Sequence, residues 1–297
     1  MSQLGKGYAF TIGAFLMWGV LPLIIKPLSS VPVLELMVHR IFWTFVLVGL
    51  VVLATGRLVR SFRSVAKPRD FWMIVASSLM IGINWLIFVY AVATEQALQA
   101  SLGYFINPLV SVLLGLFVLK EKLTPLQTAA VVAAAIGVLI KVSLSGGVPW
   151  IALALAGSFG LYGLIRKVVE ASALEGLFLE TLIWVVLIAL ALPIAFGLGI
   201  DVAPKADFDD FGLMAGLVLL GAWTVLPLWF FAAGTRIIPL AHVGLCQYIA
   251  PSIQFLIAVF LFGEHFTTVE LVTFGCVWIG LMLFAIDMLK GRTNAPA

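Results

Sequence analysis

The sequence predicts an all-α integral membrane protein whose ten transmembrane helices form two inverted five-helix repeats. Three observations support this fold class: a very apolar composition, unbroken apolar runs of about 20 residues, and a pattern that occurs twice. Of the 297 residues, 63% are hydrophobic and 10% are charged, whereas a soluble domain has roughly 45–50% apolar and about 25% charged residues. This composition cannot supply a water-soluble surface, so the bilayer is the solvent of this chain.

The apolar runs indicate helices rather than strands. Within a bilayer only helices and closed barrels satisfy their own backbone groups, and barrel strands would alternate apolar and polar residues. The runs here are continuously apolar and have the length of a helix that crosses ~30 Å of hydrocarbon. We predict ten spans, which lie at residues 7–25, 33–54, 71–93, 99–119, 125–142, 148–167, 174–197, 211–234, 239–262 and 268–289.

Basic residues predict the topology. If the N-terminus is cytoplasmic, thirteen lysine and arginine residues fall in inner segments, three fall in outer segments, and Arg40 lies within a span. Because the inner loops of membrane proteins carry the excess of lysine and arginine, we expect both termini in the cytoplasm. The net charge of +3 needs no nucleic-acid partner, and the sequence leaves the oligomeric state open.

Two segments that lie 143 positions apart resemble each other. Residues 102–124 are LGYFINPLVSVLLGLFVLKEKLT, and residues 245–267 are LCQYIAPSIQFLIAVFLFGEHFT. Seven of the 23 positions are identical, including an aligned proline and an aligned glutamate. Earlier in the chain, an offset of 141 aligns WGVLPLIIK at 18–26 with FGLYGLIRK at 159–167. Spans 1–5 are therefore predicted to repeat as spans 6–10.

The duplication divides the chain into predicted repeats at residues 1–143 and 144–297. Since each repeat has an odd number of spans, the second must enter the membrane from the opposite side. Halves related by a pseudo-two-fold axis in the membrane plane are typical of secondary transporters; the alternative is that duplication merely builds a large bundle. The aligned glutamates, Glu121 and Glu264, are predicted to cap the connections into spans 5 and 10.

Spans 4 and 9 carry polar residues and a proline on matching faces. Tyr104, Asn107 and Pro108 share one helical face of span 4, and Gln247 with Pro251 occupies the matching face of span 9. Each proline removes one backbone hydrogen bond, so we predict helix kinks at Pro108 and Pro251 with freed carbonyls four residues earlier. Such helices suit the wall of a water-accessible cavity; the alternative is a packing kink whose carbonyls bond to neighbouring helices.

Span 2 carries ionisable residues inside the membrane, where each needs a partner or a function. Arg40 keeps its proton, and we predict that it attracts an anionic group of a substrate; a buried structural ion pair is the alternative. His39 is a candidate for proton coupling, because histidine is the residue type most often used to carry protons in proteins. Glu35, one turn away, is its alternative structural partner.

Glu180 in span 7 is the repeat counterpart of His39. If Glu180 faces a cavity, it is the second candidate for proton coupling, because desolvation favours the protonated carboxyl group. The alternative is an ion pair with Arg166 or Lys167, whose long side chains reach in from the membrane edge.

Amide and aromatic side chains complete the predicted site. Asn84 in span 3 is either a substrate contact or an interhelical hydrogen-bonding residue. Trp85, Tyr104 and Tyr248 stand next to polar positions, so we expect them to line a cavity rather than to anchor the membrane interface. The predicted substrate-binding residues are Arg40, Asn84, Trp85, Tyr104, Asn107, Gln247 and Tyr248.

Other functional classes receive less support. No glycine-rich phosphate loop with its lysine is present, so ATP-driven transport by this chain alone is not expected. Cys246 and Cys276 lie within spans and are predicted to be apolar packing residues, and we expect no metal site or other cofactor. The three histidines are dispersed, so we do not predict an enzyme. An intramembrane enzyme acting on a lipid or another membrane substrate is the alternative, and a channel is a third option.

Five segments carry a resemblance to a known family: VHRIFW, GINWLIFVYAV, ASLGYFINPLVSVLLGLFVLKEKL, GLIRK and QYIAPS. They resemble the EamA domains of the drug/metabolite transporter superfamily and, more specifically, the RarD proteins, which are known as chloramphenicol-sensitivity permeases. The likeness extends over nearly the whole chain. It implies ten helices, cytoplasmic termini, a central cavity and a location in a bacterial inner membrane.

The residues and the resemblance together predict a permease that moves a small organic metabolite or drug across the cytoplasmic membrane by alternating access. The expected partners are the lipid bilayer and a small-molecule substrate, whose identity the resemblance does not supply. Because Gly115 in the first copy corresponds to Ala258 in the second, we expect an asymmetric site.

Overall fold

The computed structural model describes residues 2–94, 96–144, 148–199, 206–263 and 265–293, and all regular structure in these ranges is helical. Glu264 and the two chain ends, which enter the predictions above, lie outside these ranges. The α-helices are α1 (Gln3–Gly19), α2 (Leu21–Ile25), α3 (Val33–Ala54), α4 (Leu58–Arg63), α5 (Pro68–Ala93), α6 (Ala97–Phe117), α7 (Pro125–Ser143), α8 (Trp150–Val168), α9 (Ala173–Gly197), α10 (Phe211–Thr235), α11 (Leu240–Gln247), α12 (Ile249–Phe260) and α13 (Thr268–Thr293).

Ten membrane spans can be assigned within the described residues. Nine helical segments are individually long and apolar enough to cross a membrane, and α1 together with the bent segment after it makes the tenth. Helices α11 and α12 form the ninth span, and the short helix α4 lies in the connection between α3 and α5. The predicted number and class of spans are therefore confirmed.

The first span is bent. Residues Gln3–Gly19 and Leu21–Leu28 meet at an angle of 43°. Pro22 lies in the first turn of α2 and has no N–H for the Trp18 carbonyl, to which Gln254 Nε2 instead donates a hydrogen bond of 3.0 Å. This bend was not predicted, although the proline in the motif WGVLPLIIK is a signal for it in the sequence.

The two aligned prolines behave differently from each other. Helix α6 continues through Pro108 without interruption. In the ninth span the chain is interrupted at Tyr248, between α11 and α12 and close before Pro251. A helix interruption thus accompanies only the second of the two predicted kinks, and the repeat copies differ at this point.

Packing relates the two halves by a pseudo-two-fold axis. The most extensive helix contacts join the first half of the chain to the second. Helix α6 packs on α8. The counterpart of α6 in the second half is the ninth span, α11 with α12, and the counterpart of α8 in the first half is α1. These counterparts also pack on each other. In the same way α1–α10 exchanges with α5–α8, and α3–α10 exchanges with α5–α9. With five spans in each half, this correspondence confirms the inverted repeat.

The contact between α7 and α13 shows the same pseudo-two-fold symmetry in its individual residues. A Cβ added to Gly137 would lie 2.8 Å from the Thr273 carbonyl oxygen, and one added to Gly280 would lie 2.8 Å from the Ala130 carbonyl oxygen. Gly137 with Gly280, and Ala130 with Thr273, are both separated by the repeat offset of 143. Only glycine lets these backbones approach so closely.

Because the main contacts cross between the halves, neither repeat is a compact unit by itself. Helix α7 ends at Ser143, and residues 145–147 lie outside the described ranges. The boundary between residues 143 and 144 therefore stays a prediction of the repeat pattern.

We predict that Gly280→Leu lowers stability, because the new side chain would collide with the α7 backbone at Ala130. Overpacking of this kind costs about 1–3 kcal/mol, which should lower the midpoint of thermal unfolding of the purified protein in detergent. Gly275→Leu on the same helix is the matched control, since an added Cβ there has no described atom within 4 Å. Equal midpoints for the two variants would contradict the close α7–α13 crossing.

Candidate functional site

A cavity of about 140 Å³ lies between the two halves, and helices from both halves supply its walls. Six of the seven predicted substrate-binding residues line it: Arg40, Asn84, Trp85, Tyr104, Asn107 and Gln247. The proline of the ninth span, Pro251, also lines it. Helical periodicity places Tyr104 with Asn107 on one side of α6, since residues spaced three or four apart on one helix face the same side. That these residues bind a substrate stays a prediction.

Arg40 supplies the charge of the cavity wall. Its side chain is 9% exposed, and its Nε donates a hydrogen bond of 2.8 Å to Thr224 Oγ1. Its guanidinium carbon lies 4.8 Å from the centre of the Trp85 ring, a cation–π contact. Among the described residues no carboxylate forms an ion pair with Arg40. The described residues therefore do not contain the buried ion pair that was the alternative for Arg40.

The amide side chains leave acceptor atoms without protein partners. Asn84 Nδ2 donates to the Leu155 carbonyl at 2.9 Å and to Ser158 Oγ at 3.1 Å, so it also links α5 to α8. Gln247 Nε2 donates to Ser111 Oγ at 2.9 Å. Within the described chain, Gln247 Oε1 and Asn107 Oδ1 are buried and accept no hydrogen bond. Buried acceptors in this state are costly unless a water molecule or a ligand donates to them.

Tyr248 has a different position from the one predicted. Its side chain is 1% exposed, its hydroxyl donates to the Phe105 carbonyl at 3.2 Å, and it packs in the core with Phe105 and Phe274. It is not among the cavity-lining residues. Gln247 is the last residue of α11, and Tyr248 lies at the interruption before α12. The two neighbouring side chains therefore differ in their surroundings, and we remove Tyr248 from the candidate site.

His39 and Glu180, the predicted proton-coupling residues, also lie outside the cavity wall. His39 Nε2 is 3.8 Å from Glu35 Oε1, which is the structural alternative considered above. Its ring also lies beside Phe208, with 6.0 Å between ring centres. Proton coupling through His39 therefore stays an untested hypothesis.

Glu180 lies in a buried polar cluster between α5, α8 and α9. One carboxylate oxygen, Oε1, is 3.4 Å from Arg166 Nη1 and accepts a hydrogen bond of 2.5 Å from Ser77. The other, Oε2, accepts from the Tyr162 hydroxyl at 3.4 Å. Arg166 Nη1 is close enough for an ion pair but is not aligned for a hydrogen bond. The interpretation of Glu180 as a partner of Arg166 agrees with this geometry.

Several cavity-lining residues were absent from the predicted site. Aromatic rings of Phe15, Trp18, Phe88 and Phe159 make its wall largely apolar, and Gln254 adds another amide. Gln254 was detectable, because it lies seven residues after Gln247 and thus on the same helical face. The phenylalanines were not detectable, because many similar residues in this chain face lipid.

Contacts between the halves close the bundle at the end where α1 begins, hereafter the N-terminal end. Glu121 follows α6 and accepts hydrogen bonds from the backbone N–H groups of Leu240 at 2.7 Å and Ala241 at 2.9 Å. It therefore caps α11 of the other half rather than the connection into the fifth span, which corrects the prediction. Lys167 Nζ donates to the Ile238 carbonyl at 2.6 Å and lies 3.8 Å from Glu121.

A second cavity of about 210 Å³ lies toward the opposite end of the bundle. It shares Tyr104, Pro251 and Gln254 with the central cavity, and Lys141 and Glu270 also line it. The second cavity thus adjoins the central cavity at these three residues, on the side away from the Glu121 contact. No group of three or more His, Cys, Asp or Glu side chains suited to a metal ion occurs among the described residues.

Comparisons with solved structures support the fold. One crystal structure superposes with a TM-score of 0.70 over 93% of this chain and 96% of that chain. The sequences are 18% identical, so this likeness concerns the fold alone.

Sequence comparisons identify the family. The model of the EamA-like transporter family matches residues 5–143. A protein from Vibrio cholerae named only as an uncharacterized transporter is 42% identical over 96% of this chain and 93% of its own length. The uncharacterized transporter YojE of Bacillus subtilis is 41% identical over 97% and 96%, and protein RarD of Escherichia coli K12 is 34% identical over 97% and 96%. The chain therefore belongs to the EamA-like transporter family, as a multi-pass membrane protein homologous to the RarD proteins.

Proposed function

We propose that this chain is a secondary transporter that moves a small organic metabolite or drug across the cytoplasmic membrane by alternating access. The observation that carries the proposal is the central cavity, which lies between two inverted halves and which both halves line. Inverted halves around a shared cavity support two packings that face opposite sides of the membrane.

The two ends of the bundle differ in a way that fits one state of such a cycle. At the N-terminal end Glu121 binds the backbone of α11 and Lys67 pairs with Glu170 at 2.9 Å, both across the halves. We propose that this end faces the cytoplasm of a bacterial cell, with both termini inside. The described conformation is then closed toward the cytoplasm, and opening requires these contacts to separate.

The rival classes have less support. An intramembrane enzyme needs acid, base or nucleophilic groups that converge on one point, whereas Arg40 and Tyr104 are the ionisable residues of the described cavity wall. A channel needs a continuous pore, whereas the cavity is separated from the N-terminal end by the Glu121 contact. Saturable flux with counterflow would separate a transporter from a channel.

A homologue bears on the kind of cargo. The chloramphenicol-sensitive protein RarD of Pseudomonas aeruginosa is 31% identical over 96% of this chain and 95% of its own length. Its name brings chloramphenicol into the set of compounds worth assaying, beside organic acids and amines.

We predict that Arg40→Ala reduces saturable uptake into proteoliposomes by at least about tenfold, which corresponds to about 1.4 kcal/mol. The physical reason is the loss of a cation that the cavity offers to its ligand. The assay uses radiolabelled organic acids, amines and chloramphenicol, and counterflow verifies carrier-type transport. Arg63→Ala is the matched control, because Arg63 is an exposed arginine of α4. Wild-type uptake by a correctly folded Arg40→Ala variant would remove Arg40 from the site.

The hypothesis of proton coupling at Glu180 makes a separate prediction. In Glu180→Gln, counterflow should persist while accumulation driven by a proton gradient is lost, because the amide cannot carry a proton. Asp209→Asn is the control, since Asp209 is an exposed carboxylate that takes no part in the described contacts between the halves. His39→Gln tests the second candidate in the same assay. Gradient-driven accumulation by Glu180→Gln at the wild-type level would refute coupling through Glu180.

The revised position of Tyr248 leads to a third prediction. Tyr248→Phe should lower the free energy of unfolding by about 1 kcal/mol, because the hydrogen bond to the Phe105 carbonyl is lost. The Michaelis constant for uptake should stay unchanged, since Tyr248 does not line the cavity. A raised Michaelis constant with unchanged stability would return Tyr248 to the site.

A further inference from the structure

We infer that the central cavity takes a small organic carboxylate with an apolar or aromatic body and a hydroxyl or amide N–H donor beside the carboxylate. This inference names the ligand class of the proposed transporter, and it rests on the proposed function because a ligand of this cavity is a transport substrate only if the chain is a transporter. Its test measures binding, so that a failure of transport and a failure of this ligand class give different results.

The charge of the ligand follows from Arg40. No aspartate or glutamate belongs to the described wall of the central cavity, and no ion pair neutralises Arg40 within the described chain. Its one protein hydrogen bond there uses Nε, so the two terminal nitrogens of the guanidinium remain as donors. A planar carboxylate matches such donors in geometry and charge, whereas an ammonium group would be repelled.

The second cavity does not reverse this charge preference. It contains Lys141 and Glu270. Glu270 Oε2 accepts hydrogen bonds from the N–H and hydroxyl groups of Thr267 at 2.8 Å and 3.2 Å, so that carboxylate is engaged at the start of α13. Lys141 Nζ lies 4.3 Å from the centre of the Phe105 ring and offers a second cation in this adjoining cavity.

The donor on the ligand follows from the amide oxygens. Gln247 is 4% exposed, its Nε2 is committed to Ser111, and its Oε1 accepts nothing within the described chain. Asn107 Oδ1, on helix α6, is also buried and accepts no hydrogen bond within the described chain. A hydroxyl or amide N–H of the ligand satisfies such an acceptor, and it does so without the positive charge that Arg40 opposes.

The body of the ligand follows from the remaining wall. Phe15, Trp18, Trp85, Phe88 and Phe159 surround the polar residues. Aromatic side chains favour burial of an apolar or aromatic group over a fully hydrated one. An inorganic anion would leave this surface without a partner, so the wall selects an organic anion.

Three matched compounds test the inference by direct binding to the purified protein in nanodiscs. Mandelate carries a carboxylate, a hydroxyl and a phenyl ring; mandelamide lacks the charge, and phenylacetate lacks the hydroxyl. We expect mandelate to bind at least about tenfold more tightly than mandelamide, as for a charge-assisted hydrogen bond. It should bind roughly threefold to tenfold more tightly than phenylacetate, as for a neutral hydrogen bond.

Variants connect each preference to its residue. In Arg40→Gln the advantage of mandelate over mandelamide should disappear, and in Arg40→Lys part of it should return. In the double variant Asn107→Leu, Gln247→Leu, which removes both unpartnered amide oxygens, the advantage over phenylacetate should disappear while the advantage over mandelamide persists. Arg63→Ala should keep both preferences, and thermal unfolding verifies that each variant is folded.

Two results would overturn the inference: mandelamide or 2-phenylethylamine binding as tightly as mandelate, or a preference for mandelate that survives in a folded Arg40→Gln variant. Binding with the expected preferences but without flux in proteoliposomes supports the ligand class and refutes the proposed transport.

Discussion

The rest of the structure depends on one constraint: polar groups inside the membrane bond across the interface between the two halves. Arg40 of the first half donates to Thr224 of the second, and Ser77 of the first half donates to Glu180 of the second. The same crossing occurs from Asn84 to Leu155 and Ser158, Gln247 to Ser111, Tyr248 to Phe105, Trp184 to Ser78, Trp223 to Met17 and Gln254 to Trp18. Since hydrocarbon offers no water to replace a lost partner, these bonds set the register of the halves and direct polar side chains to the interface where the cavity lies.

The same constraint separates the contacts that can change from those that cannot. Interhelical hydrogen bonds in membrane proteins are worth about 0.6 kcal/mol on average, so exchanging them costs little if each group finds a new partner. At the N-terminal end, groups such as Lys67 and Glu170 are exposed, and water can solvate them after separation. The Arg166–Glu180 pair is 0% and 2% exposed, so separating it would leave uncompensated charges. In the proposed cycle, the outer contacts of the N-terminal end separate while this buried pair is kept or exchanged as a unit.

In the proposed site, Arg40 is the residue that would select a ligand by its charge. A cation in the membrane is costly, and here a single described hydrogen bond and one aromatic ring stabilise it. A bound anion would complete its coordination. The described cavity wall thus combines a cation that pairs with no carboxylate of the described residues, an aromatic surface, and amide oxygens that accept no hydrogen bond within the described chain. These features favour an organic anion over a metal ion or a lipid chain.

By itself the sequence determined the solvent, the helix number, the inverted duplication and the helical faces shared by Tyr104 with Asn107 and by Gln247 with Pro251, because hydropathy and periodicity are local properties of the chain. The tertiary structure alone decided which partner each polar group meets. Gln247 and Tyr248 are adjacent in sequence, yet one lines the cavity and the other packs in the core. Glu121 caps a helix more than a hundred residues away, and Gln254 bonds to the carbonyl at the bend of the first span. These outcomes depend on the surface that the opposite half presents, which no local pattern contains.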